Sequence, residues 1–569
     1  MKTSKVPKPT IDRRRYRKVR WFFLRLAVHL VWWDLILARP GLRRLRRPPH
    51  PRWQRLARQY RALAVDLGGV MIKLGQYLST RVDVLPPAVT RELAGLQDEV
   101  PAESFESVAR QMEAELEAPL AQVFMDLEPE PLGAASLAQV HGARLLDGSP
   151  VVVKVLRPGI ETLVETDLAA ISVAAGWLEH LELVRSRVDL DALLEEFRTT
   201  TRRELDLENE GHNAERFADN FAGDHGVIIP EVYWETTRRR LLTLENVAYL
   251  KIGDVEALSA AGIDRKELAR RLYRAYMEQI FVHHFVHADP HPGNLFVRPL
   301  PLPGEDPEGF PPGTPVPDAD QRPFQIVFVD FGMVAEVPER LRRALREVLI
   351  GFGSRDAGRV VRAAYSAGIL LPGADLEQLQ EALETVLDRF WGVELGRLND
   401  LALSQARELW REFGRLILET PVQVQSELLF TGRAAALLGG LATQLDPGFE
   451  PWSATIPFAA RLAAEEARGP EWAAEALRQG REALGLPAEL ARLVRHTRVG
   501  KLTVRNALAP DTRRRLDRLE RGLARTRTAV AASGLAVAGA VLYALEAAPG
   551  LGAGMLGAAA VLYLMAWWR

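Results

Sequence analysis

The sequence predicts an α+β protein with more than one structural unit. Residues 151–155 form a β-branched run that is typical of a buried strand, and apolar runs at 295–297 and 326–329 predict two further short strands. Apolar residues at helical spacing between 63 and 78 predict a helix. With 569 residues, the chain is long enough for a sizeable core and for several such units.

Charge and cysteine content exclude several classes of function. The 73 basic and 74 acidic side chains nearly cancel, which argues against a dedicated nucleic-acid binder, so no nucleic-acid partner is expected. The chain has no cysteine, which excludes disulfides, thiolate metal sites and a cysteine nucleophile. Basic clusters lie near the termini, at 13–15, 43–47 and 513–515.

Two motifs in the middle of the chain indicate a nucleotide site. Residues 287–294 read His-Ala-Asp-Pro-His-Pro-Gly-Asn, with Asp289 five residues before Asn294, and residues 330–332 read Asp-Phe-Gly. In protein kinases the first spacing supplies an aspartate that orients the attacking group and an asparagine that holds a metal ion, and the second supplies a metal-binding carboxylate. A solvated turn or a chance tripeptide would explain either motif alone. Their joint order predicts a kinase-like enzyme in which Asp289 positions the acceptor while Asn294 and Asp330 hold Mg²⁺.

The strand at 151–155 contains one lysine, Lys154, which matches the kinase strand whose ammonium contacts the nucleotide phosphates. A lysine in an apolar strand needs a counter-charge, and the helical segment 195–217 offers Glu204, Asp206 and Glu210. A solvent-facing Lys154 is the alternative, although valines on both sides favour burial.

The segment before this strand occupies the position of a kinase glycine-rich loop. It presents Gly133, Ala134, Ala135 and Ser136 in place of the Gly-x-Gly-x-x-Gly pattern, so the approach of backbone to phosphate is expected to be altered. Taken alone, the segment would be a plain turn of small residues.

The segment 21–37 predicts an amphipathic helix. It contains Arg25, His29 and Asp34, which argues against a secretory signal or a membrane span. Its tryptophans and the flanking arginines are typical of a helix at an anionic lipid surface, whereas packing on the folded domain accounts for the pattern equally well.

Two charge-free runs near the C-terminus, 529–545 and 551–568, predict a pair of marginal membrane-spanning helices. Each would reach roughly 26 to 27 Å, slightly less than the hydrocarbon core of about 30 Å. Arginines at both outer ends place the rest of the chain in the cytoplasm by the positive-inside rule. A buried alanine-rich hairpin is the alternative.

Together these pieces resemble the UbiB/AarF/ADCK family of atypical kinases. The family's Lys-x-Gly-Gln motif is similar to residues 73–76 and its Glu-x-Asp motif to residues 204–206, and the Ala-rich loop, the Val-Lys strand and the two central motifs follow in the family's order. The resemblance is strong over about residues 60 to 340 and weaker through 445–449. Two positions depart from it, Gly133 and Gly211, where the family usually has alanine; the first bears on the choice between ATP and ADP.

The resemblance implies a bilobal protein-kinase-like fold with extra N-terminal helices and a C-terminal two-helix membrane anchor. The helix carrying Lys73 and Gln76 would fold over the active site. Lys73 would then meet Glu204 or Asp206, while Lys154 pairs with Glu210. The resemblance also implies support of quinone-lipid biosynthesis, with ATP hydrolysis coupled to membranes.

The expected organisation runs from a basic interfacial leader to a membrane hairpin. A Pro-, Gly- and Asp-rich stretch, 299–323, is expected to be a surface hairpin insertion without a role in the site. The predicted segments are a leader at 1–59, family-specific helices at 60–130, a small lobe at 131–250, a helical large lobe at 251–500 and a linker with the hairpin at 501–569.

The predicted function is that of a membrane-associated atypical kinase or ATPase that uses ATP and Mg²⁺ at the cytoplasmic face of the bacterial inner membrane. Membrane lipids, quinone precursors and quinone-biosynthesis enzymes are the expected partners. Two alternatives remain: a kinase that phosphorylates a protein or small-molecule hydroxyl, and a nucleotide-gated scaffold for membrane enzymes.

Overall fold

The computed structural model describes residues 11–37, 49–80, 87–94, 102–179, 190–307, 309–391 and 426–468, with a few isolated positions elsewhere. The chain divides into two compact units. The first comprises 1–369, 380–413 and 424–461 and contains the elements that position the site. The second comprises 370–379, 414–423 and 462–569, most of which lies outside the described residues.

Four helices open the described chain, and the third carries the Lys-x-Gly-Gln motif. The helix predicted over residues 63–78 is in fact two, because Gly68 and Gly69 between them have positive φ values of 64° and 57°. A left-handed backbone of this kind ends a helix and favours glycine. The bounds are α1 Arg13–Leu30, extended by a π-helical turn Val31–Ile36, α2 Pro49–Leu67, α3 Val70–Thr80 and α4 Pro87–Ala94.

Helix α1 packs on the folded domain through one face. For this face, the predicted packing on the domain is therefore confirmed. Val19 and Phe23 are buried there against the core that includes the long helix α6, Ile160–Glu179. The capping residue Asp12 accepts hydrogen bonds from the backbone N–H groups of Arg14 and Arg15, which fixes where α1 begins.

Arg15 links α1 to α6 and to the C-terminal end of α2. Its guanidinium forms an ion pair with the fully buried Asp167 of α6, at 2.6 Å, and donates to the backbone oxygens of Leu67 and Gly68 at 2.7 and 3.2 Å. Arg15 therefore holds the turn from which α3 begins.

The small lobe is a four-stranded antiparallel sheet that begins before residue 131; its strands, in the order in which they pair, are β1 Phe124–Ala134, β2 Ala138–Leu145, β3 Pro150–Leu156 and β5 Leu241–Glu245. Val151, Val153 and Val155 of β3 are buried on the side of α5, Phe105–Leu116, so Lys154 lies on the opposite face. The strands of the whole chain are β1 Phe124–Ala134, β2 Ala138–Leu145, β3 Pro150–Leu156, β4 Val227–Ile228, β5 Leu241–Glu245, β6 Leu250–Lys251, β7 Phe285–His287, β8 Leu295–Pro299, β9 Phe324–Phe328 and β10 Val334–Glu336.

The helical segment predicted at 195–217 is divided. Helix α7, Leu190–Arg203, and helix α8, Leu207–Phe221, are separated by residues 204–206, so that the Glu-x-Asp motif lies in the link. Asp206 caps α8 by accepting from the N–H of Asn209.

The large lobe surrounds a second sheet, ordered β4-β9-β8-β6, and a two-stranded ribbon of β7 and β10. The two strands predicted from apolar runs are confirmed as β8 and β9, paired antiparallel with Leu295 opposite Phe328. The helices are α9 Val255–Ala260, α10 Arg265–Glu278, α11 Glu339–Gly353, α12 Ala357–Ser366, α13 Leu376–Phe390, α14 Ser426–Leu445 and α15 Pro451–Arg468.

The insertion between β8 and β9 is fixed by one buried arginine. The Arg322 side chain is fully buried, forms an ion pair with Glu305 and donates to the carbonyl oxygens of Ala261, Leu300 and Pro317. The insertion is therefore held on the α9 end of the lobe by a network that its composition does not reveal.

The predicted C-terminal anchor at 529–545 and 551–568 lies outside the described residues, apart from isolated positions. Within the part of the chain that the structure describes, no helix combines the length and apolar character needed to cross a bilayer. The anchor stays a prediction.

Candidate active site

Lys154 lies between two carboxylates at the base of the small lobe. Its ammonium is 2.8 and 2.9 Å from the two carboxylate oxygens of Glu210 and 2.9 Å from Asp330 Oδ1. Strand β3 supplies the lysine, the first turn of α8 supplies Glu210, and the turn after β9 supplies Asp330. The pair of Lys154 and Glu210 that the family resemblance implied is present.

Burial and charge act in opposite directions on these three groups. Burial raises the pKa of Glu210 to about 7, even though the ammonium of Lys154 lowers it. The partial burial of Asp330 also favours its neutral form, but the positive charge of Lys154 outweighs this effect and holds the pKa of Asp330 well below its usual range. The pKa of Lys154 is raised because the two carboxylates together outweigh its desolvation.

Asp330 has an unusual backbone conformation. Its φ is +64°, in the left-handed region that side chains rarely adopt, and its side chain is about half exposed, at 46 %. Strain of this kind persists at functional sites where the surrounding structure enforces it. Here the Asp330 carboxylate contacts Lys154 and keeps part of its surface accessible.

The predicted catalytic loop, residues 287–294, brings Asn294 next to the Asp-Phe-Gly turn. The backbone N–H of Val329 donates to the carbonyl oxygen of Asn294 at 3.0 Å, one residue before Asp330. The side-chain amide of Asn294 donates to the backbone oxygen of Asp289 at 3.2 Å and to its Oδ2 at 3.3 Å. The three predicted residues of the loop and turn therefore lie in one place.

A buried network supports the loop from below. His287 is fully buried; its Nε2 is 3.1 Å from the carbonyl oxygen of Val329, and its backbone N–H donates to Gln279 Oε1 at 2.9 Å. The ring of Phe331 packs edge-on against His287. His287 and Gln279 thus fix the relative position of the two motifs.

The loop of small residues forms the turn between β1 and β2. Gly133 and Ala134 end β1, opposite Val140 and Gln139 of β2, and Ala135 and Ser136 form the turn. Ser136 is buried, and its hydroxyl has no hydrogen-bond partner among the described residues. A buried hydroxyl without a partner is costly, so a polar ligand group at this turn would be stabilised.

The Lys-x-Gly-Gln helix reaches the same cleft through its lysine. Lys73 Nζ lies 2.6 Å from the carboxylate of Glu204, and its positive charge also contributes to the lowered pKa of Asp330. Of the two partners that the resemblance implied for Lys73, the structure brings Glu204 to it.

Two predicted residues make contacts away from the Lys154 cluster. The Gln76 amide donates to the backbone oxygen of Leu96 at 3.3 Å, and the Asp206 carboxylate caps α8. Their part in nucleotide binding stays a prediction.

Sequence reasoning missed two polar residues that fix the site. Asn213, one helical turn after Glu210 on α8, donates to the backbone oxygen of Phe331 at 3.0 Å. Gln279 is buried beneath the catalytic loop. The three-residue spacing from Glu210 was the available signal for Asn213, since it places both side chains on one helix face.

A strand lysine paired with a helix glutamate, close to an Asp-Phe-Gly turn, is the arrangement by which protein kinases hold nucleotide phosphates. The fold and the site together define the chain as a nucleotide-binding enzyme of the kinase or ATPase type.

Comparison with known proteins gives the family. Residues 95–364 match the ABC1 atypical kinase-like domain. The chain is 34 % identical to an uncharacterized Synechocystis protein, sll1770, over 77 % of this chain and 72 % of that protein. It is also 34 % identical to a probable protein kinase UbiB of Cellvibrio japonicus, over 73 % of this chain and 70 % of that protein. The chain belongs to the ABC1 family of atypical kinases.

Two further similarities are more limited. The Arabidopsis thaliana chloroplastic protein ACTIVITY OF BC1 COMPLEX KINASE 7 is 34 % identical over 71 % of this chain, which spans only 54 % of the plant protein. Among solved structures, the complex of Mycobacterium tuberculosis Rv3197 with erythromycin aligns with a TM-score of 0.45 and 20 % identity, over 68 % of this chain and 91 % of that one. This last likeness is too weak to bear on activity.

Proposed function

We propose that this chain is a membrane-associated atypical kinase or ATPase that binds MgATP and either hydrolyses it slowly or transfers its terminal phosphoryl group. The observation that carries the proposal is the position of Lys154, within 3 Å of both Glu210 and Asp330. A cation fixed in this way is suited to the phosphates of a nucleotide.

The residues fit a magnesium ion. Asn294 and Asp330 offer amide and carboxylate oxygens, which hard divalent cations prefer, and the Asp330 carboxylate is partly accessible. Two protein ligands are sufficient because Mg²⁺ in such sites takes the rest of its ligands from phosphates and water. When bound, the ion would neutralise charge on the phosphates.

Each residue of the candidate site has a distinct role in this proposal. Lys154 holds the phosphates, and Glu210 orients Lys154. Asp289 positions the acceptor, which is water or a small hydroxyl, and its own carboxylate is held by the Asn294 amide. Ser136 and the neighbouring small residues of the turn, Gly133, Ala134 and Ala135, approach the phosphates through backbone and hydroxyl groups.

The contact of Lys73 with Glu204 favours a small acceptor over a protein substrate. The α3 helix brings this ammonium close enough to act on the Asp330 carboxylate, so a second cation stands at the cleft. The family resemblance implies that the same helix occupies space that a protein substrate would need. We therefore favour ATP hydrolysis or transfer to a small hydroxyl.

A relative's name and the motifs support a role with quinones or isoprenoid lipids. The relative from Cellvibrio japonicus is named as a probable protein kinase UbiB, and the motifs resemble the family associated with quinone lipids. Membrane lipids, quinone precursors and quinone-biosynthesis enzymes are the partners we propose. The apolar runs at 529–545 and 551–568 would anchor the chain at the cytoplasmic face of the bacterial inner membrane.

The proposal is tested by phosphate release and nucleotide binding with the purified full chain. We expect MgATP turnover to be abolished in Asp330→Asn and reduced strongly in Asp289→Asn, whereas calorimetry should show nucleotide binding retained in Asp289→Asn. Magnesium-dependent binding should weaken in Asp330→Asn.

Asp320→Asn is the matched control, because Asp320 is an exposed carboxylate of the insertion and should turn over MgATP at the parent rate. If Asp330→Asn hydrolyses MgATP as fast as the parent chain, the assignment of the metal site is wrong. Assays with and without liposomes then test the membrane association, since bilayers should stimulate turnover.

A further inference from the structure

Helix α1 has an outer face opposite the face that packs on the domain. On this side Trp21, Val28 and Trp32 have exposed fractions of 59 %, 60 % and 51 %. They are seven and four residues apart, which places them in one stripe along the helix. Large apolar side chains concentrated on one exposed stripe are typical of a surface that binds something.

The charge of α1 selects the binding partner. Helix α1 contains seven Arg or Lys residues and no Asp or Glu, and in the π-helical turn that carries Trp32 the carboxylate of Asp34 is buried against Arg52. Arg14, Arg17 and Arg25 are exposed and fall on the same side as Trp21 by helical spacing. Indole rings settle at the level of lipid headgroups and arginines pair with their phosphates, so this combination complements an anionic bilayer.

The contacts that hold α1 on the domain are made by its inner face, so its outer face can dock. Arg15 holds α1 to Asp167 of α6, and Val19 and Phe23 are buried against the core. Docking therefore requires no unpacking of the helix, and α1 would lie in the plane of the bilayer with the domain above it.

We propose that the outer face of α1, formed by Arg14, Arg17, Trp21, Arg25, Val28 and Trp32, docks on a bilayer surface rich in anionic lipids. This inference rests on the membrane association proposed above and names the surface that faces the lipid. It is separate from the C-terminal anchor, because the contact lies at the other end of the chain.

A site-specific dye tests the docking directly. The chain has no cysteine, so Val28→Cys gives one attachment point for an environment-sensitive fluorophore in the full chain. We expect its emission to shift to the blue in vesicles of phosphatidylcholine with phosphatidylglycerol, and to stay water-like in phosphatidylcholine alone. The shift should decrease as salt is added, because the attraction is screened.

Two controls test whether the dye response comes from the outer face of α1. Met125→Cys carries the dye on β1, where Met125 is 61 % exposed, and should stay water-like in both kinds of vesicle. Replacing Arg14, Arg17 and Arg25 by glutamine should lower the docking equilibrium about fivefold for each charge removed. A response equal in neutral vesicles, a response retained by the triple variant, or no response at residue 28 would each overturn the proposal.

The outcome is independent of the nucleotide site. The dye assay contains no nucleotide, and an Asp330→Asn version of the labelled chain should respond like its parent. Failure of the dye to respond, with nucleotide binding intact by calorimetry, rejects the docking face alone. If Asp330→Asn hydrolyses MgATP at the parent rate while the dye response is intact, the proposed chemistry alone is rejected.

Discussion

Two cations of this chain, the partly buried Lys154 in the cleft and the fully buried Arg322 under the insertion, are held in different ways. Lys154 contacts two carboxylates, and burial leaves one of them, Glu210, with a pKa raised to about 7. Arg322 contacts one carboxylate, Glu305, whose pKa falls to about 2 because Arg322 hydrogen-bonds to it. With two carboxylates to one ammonium, the Lys154 cluster carries excess negative charge when all three groups are ionised, whereas the Arg322 network pairs one cation with one carboxylate and is satisfied by protein groups alone.

The difference separates a binding site from a structural contact. Unneutralised carboxylate in a cleft is available to a metal ion, and it costs stability when nothing else compensates it. A guanidinium with several carbonyl acceptors and one carboxylate has its donors occupied and contributes to the fold. Each of the following predictions tests one side of this comparison.

The largest effect is expected from Lys154→Met. Removing the ammonium leaves Glu210 and Asp330 facing each other and removes the phosphate contact, so turnover should fall about 10² to 10³-fold. Phosphate release under saturating MgATP measures this. Lys251→Met, at an exposed lysine of β6, is the control and should keep the parent rate. Equal losses in both variants would contradict a special role for Lys154.

Arg322→Leu should affect stability and leave the chemistry unchanged. The substitution leaves three carbonyl oxygens without the donor that a fully buried guanidinium supplies, which should lower the free energy of unfolding by roughly 3 kcal/mol. Denaturant unfolding measures this, and turnover per folded molecule should stay constant. Arg270→Leu, at an exposed arginine paired with Glu267 on α10, should change stability by less than about 0.5 kcal/mol.

The pH dependence of activity should follow Glu210. In the folded chain this carboxyl takes up its proton as pH falls through about 7, well above its ordinary value of 4.5. Because the folded state binds the extra proton, ionised Glu210 costs stability above pH 7 and this cost is relieved at lower pH. Protonated Glu210 no longer orients Lys154, so kcat/KM should decline below pH 7.

Glu210→Gln provides the check on this assignment. The variant should turn over slowly at every pH and lack the decline near pH 7; a decline of the same midpoint would assign it to another group.

The pair of Glu305 and Arg322 has the opposite pH dependence of stability. Its contribution to stability is fully present above about pH 4.5 and is lost as pH falls through about 2.

The smallest effect is expected from Gly133→Ala. No atom lies within 4 Å of the Cβ that alanine would add, and the backbone of Gly133 is not left-handed, so stability should change by less than about 1 kcal/mol. Any change in the relative affinities of ATP and ADP, measured by calorimetry, then reports on the turn itself. A large loss of stability would show that the turn packs differently from the structure.

Local pattern was sufficient to predict the chemistry-bearing residues but not what holds them. Lys154 was recognisable within its valine strand, and Asp289, Asn294 and Asp330 were recognisable by spacing, because these signals lie within a few residues. The Arg322 network and the hydrogen bond from Asn213 to Phe331 join residues that are distant in sequence. A single sequence does not show which distant residues are in contact.

The break between α2 and α3 was missed for a different reason. Apolar residues on both sides of Gly68 and Gly69 continue the helical spacing, so periodicity alone predicts one helix. Two adjacent glycines were the signal against it, because both adopt positive φ. The faces of α1 were left open because amphipathic spacing is the same for a helix on a domain and a helix on a lipid surface.

The contacts of Arg15 affect how shortened versions of this chain should be interpreted. Deleting the N-terminal residues to improve solubility would remove the guanidinium that holds Leu67 and Gly68, immediately before the helix of Lys73. A change of activity in such a protein would then reflect a displaced Lys73 as much as lost contact with lipid. Substituting the outer side chains while keeping Arg15 separates the two causes.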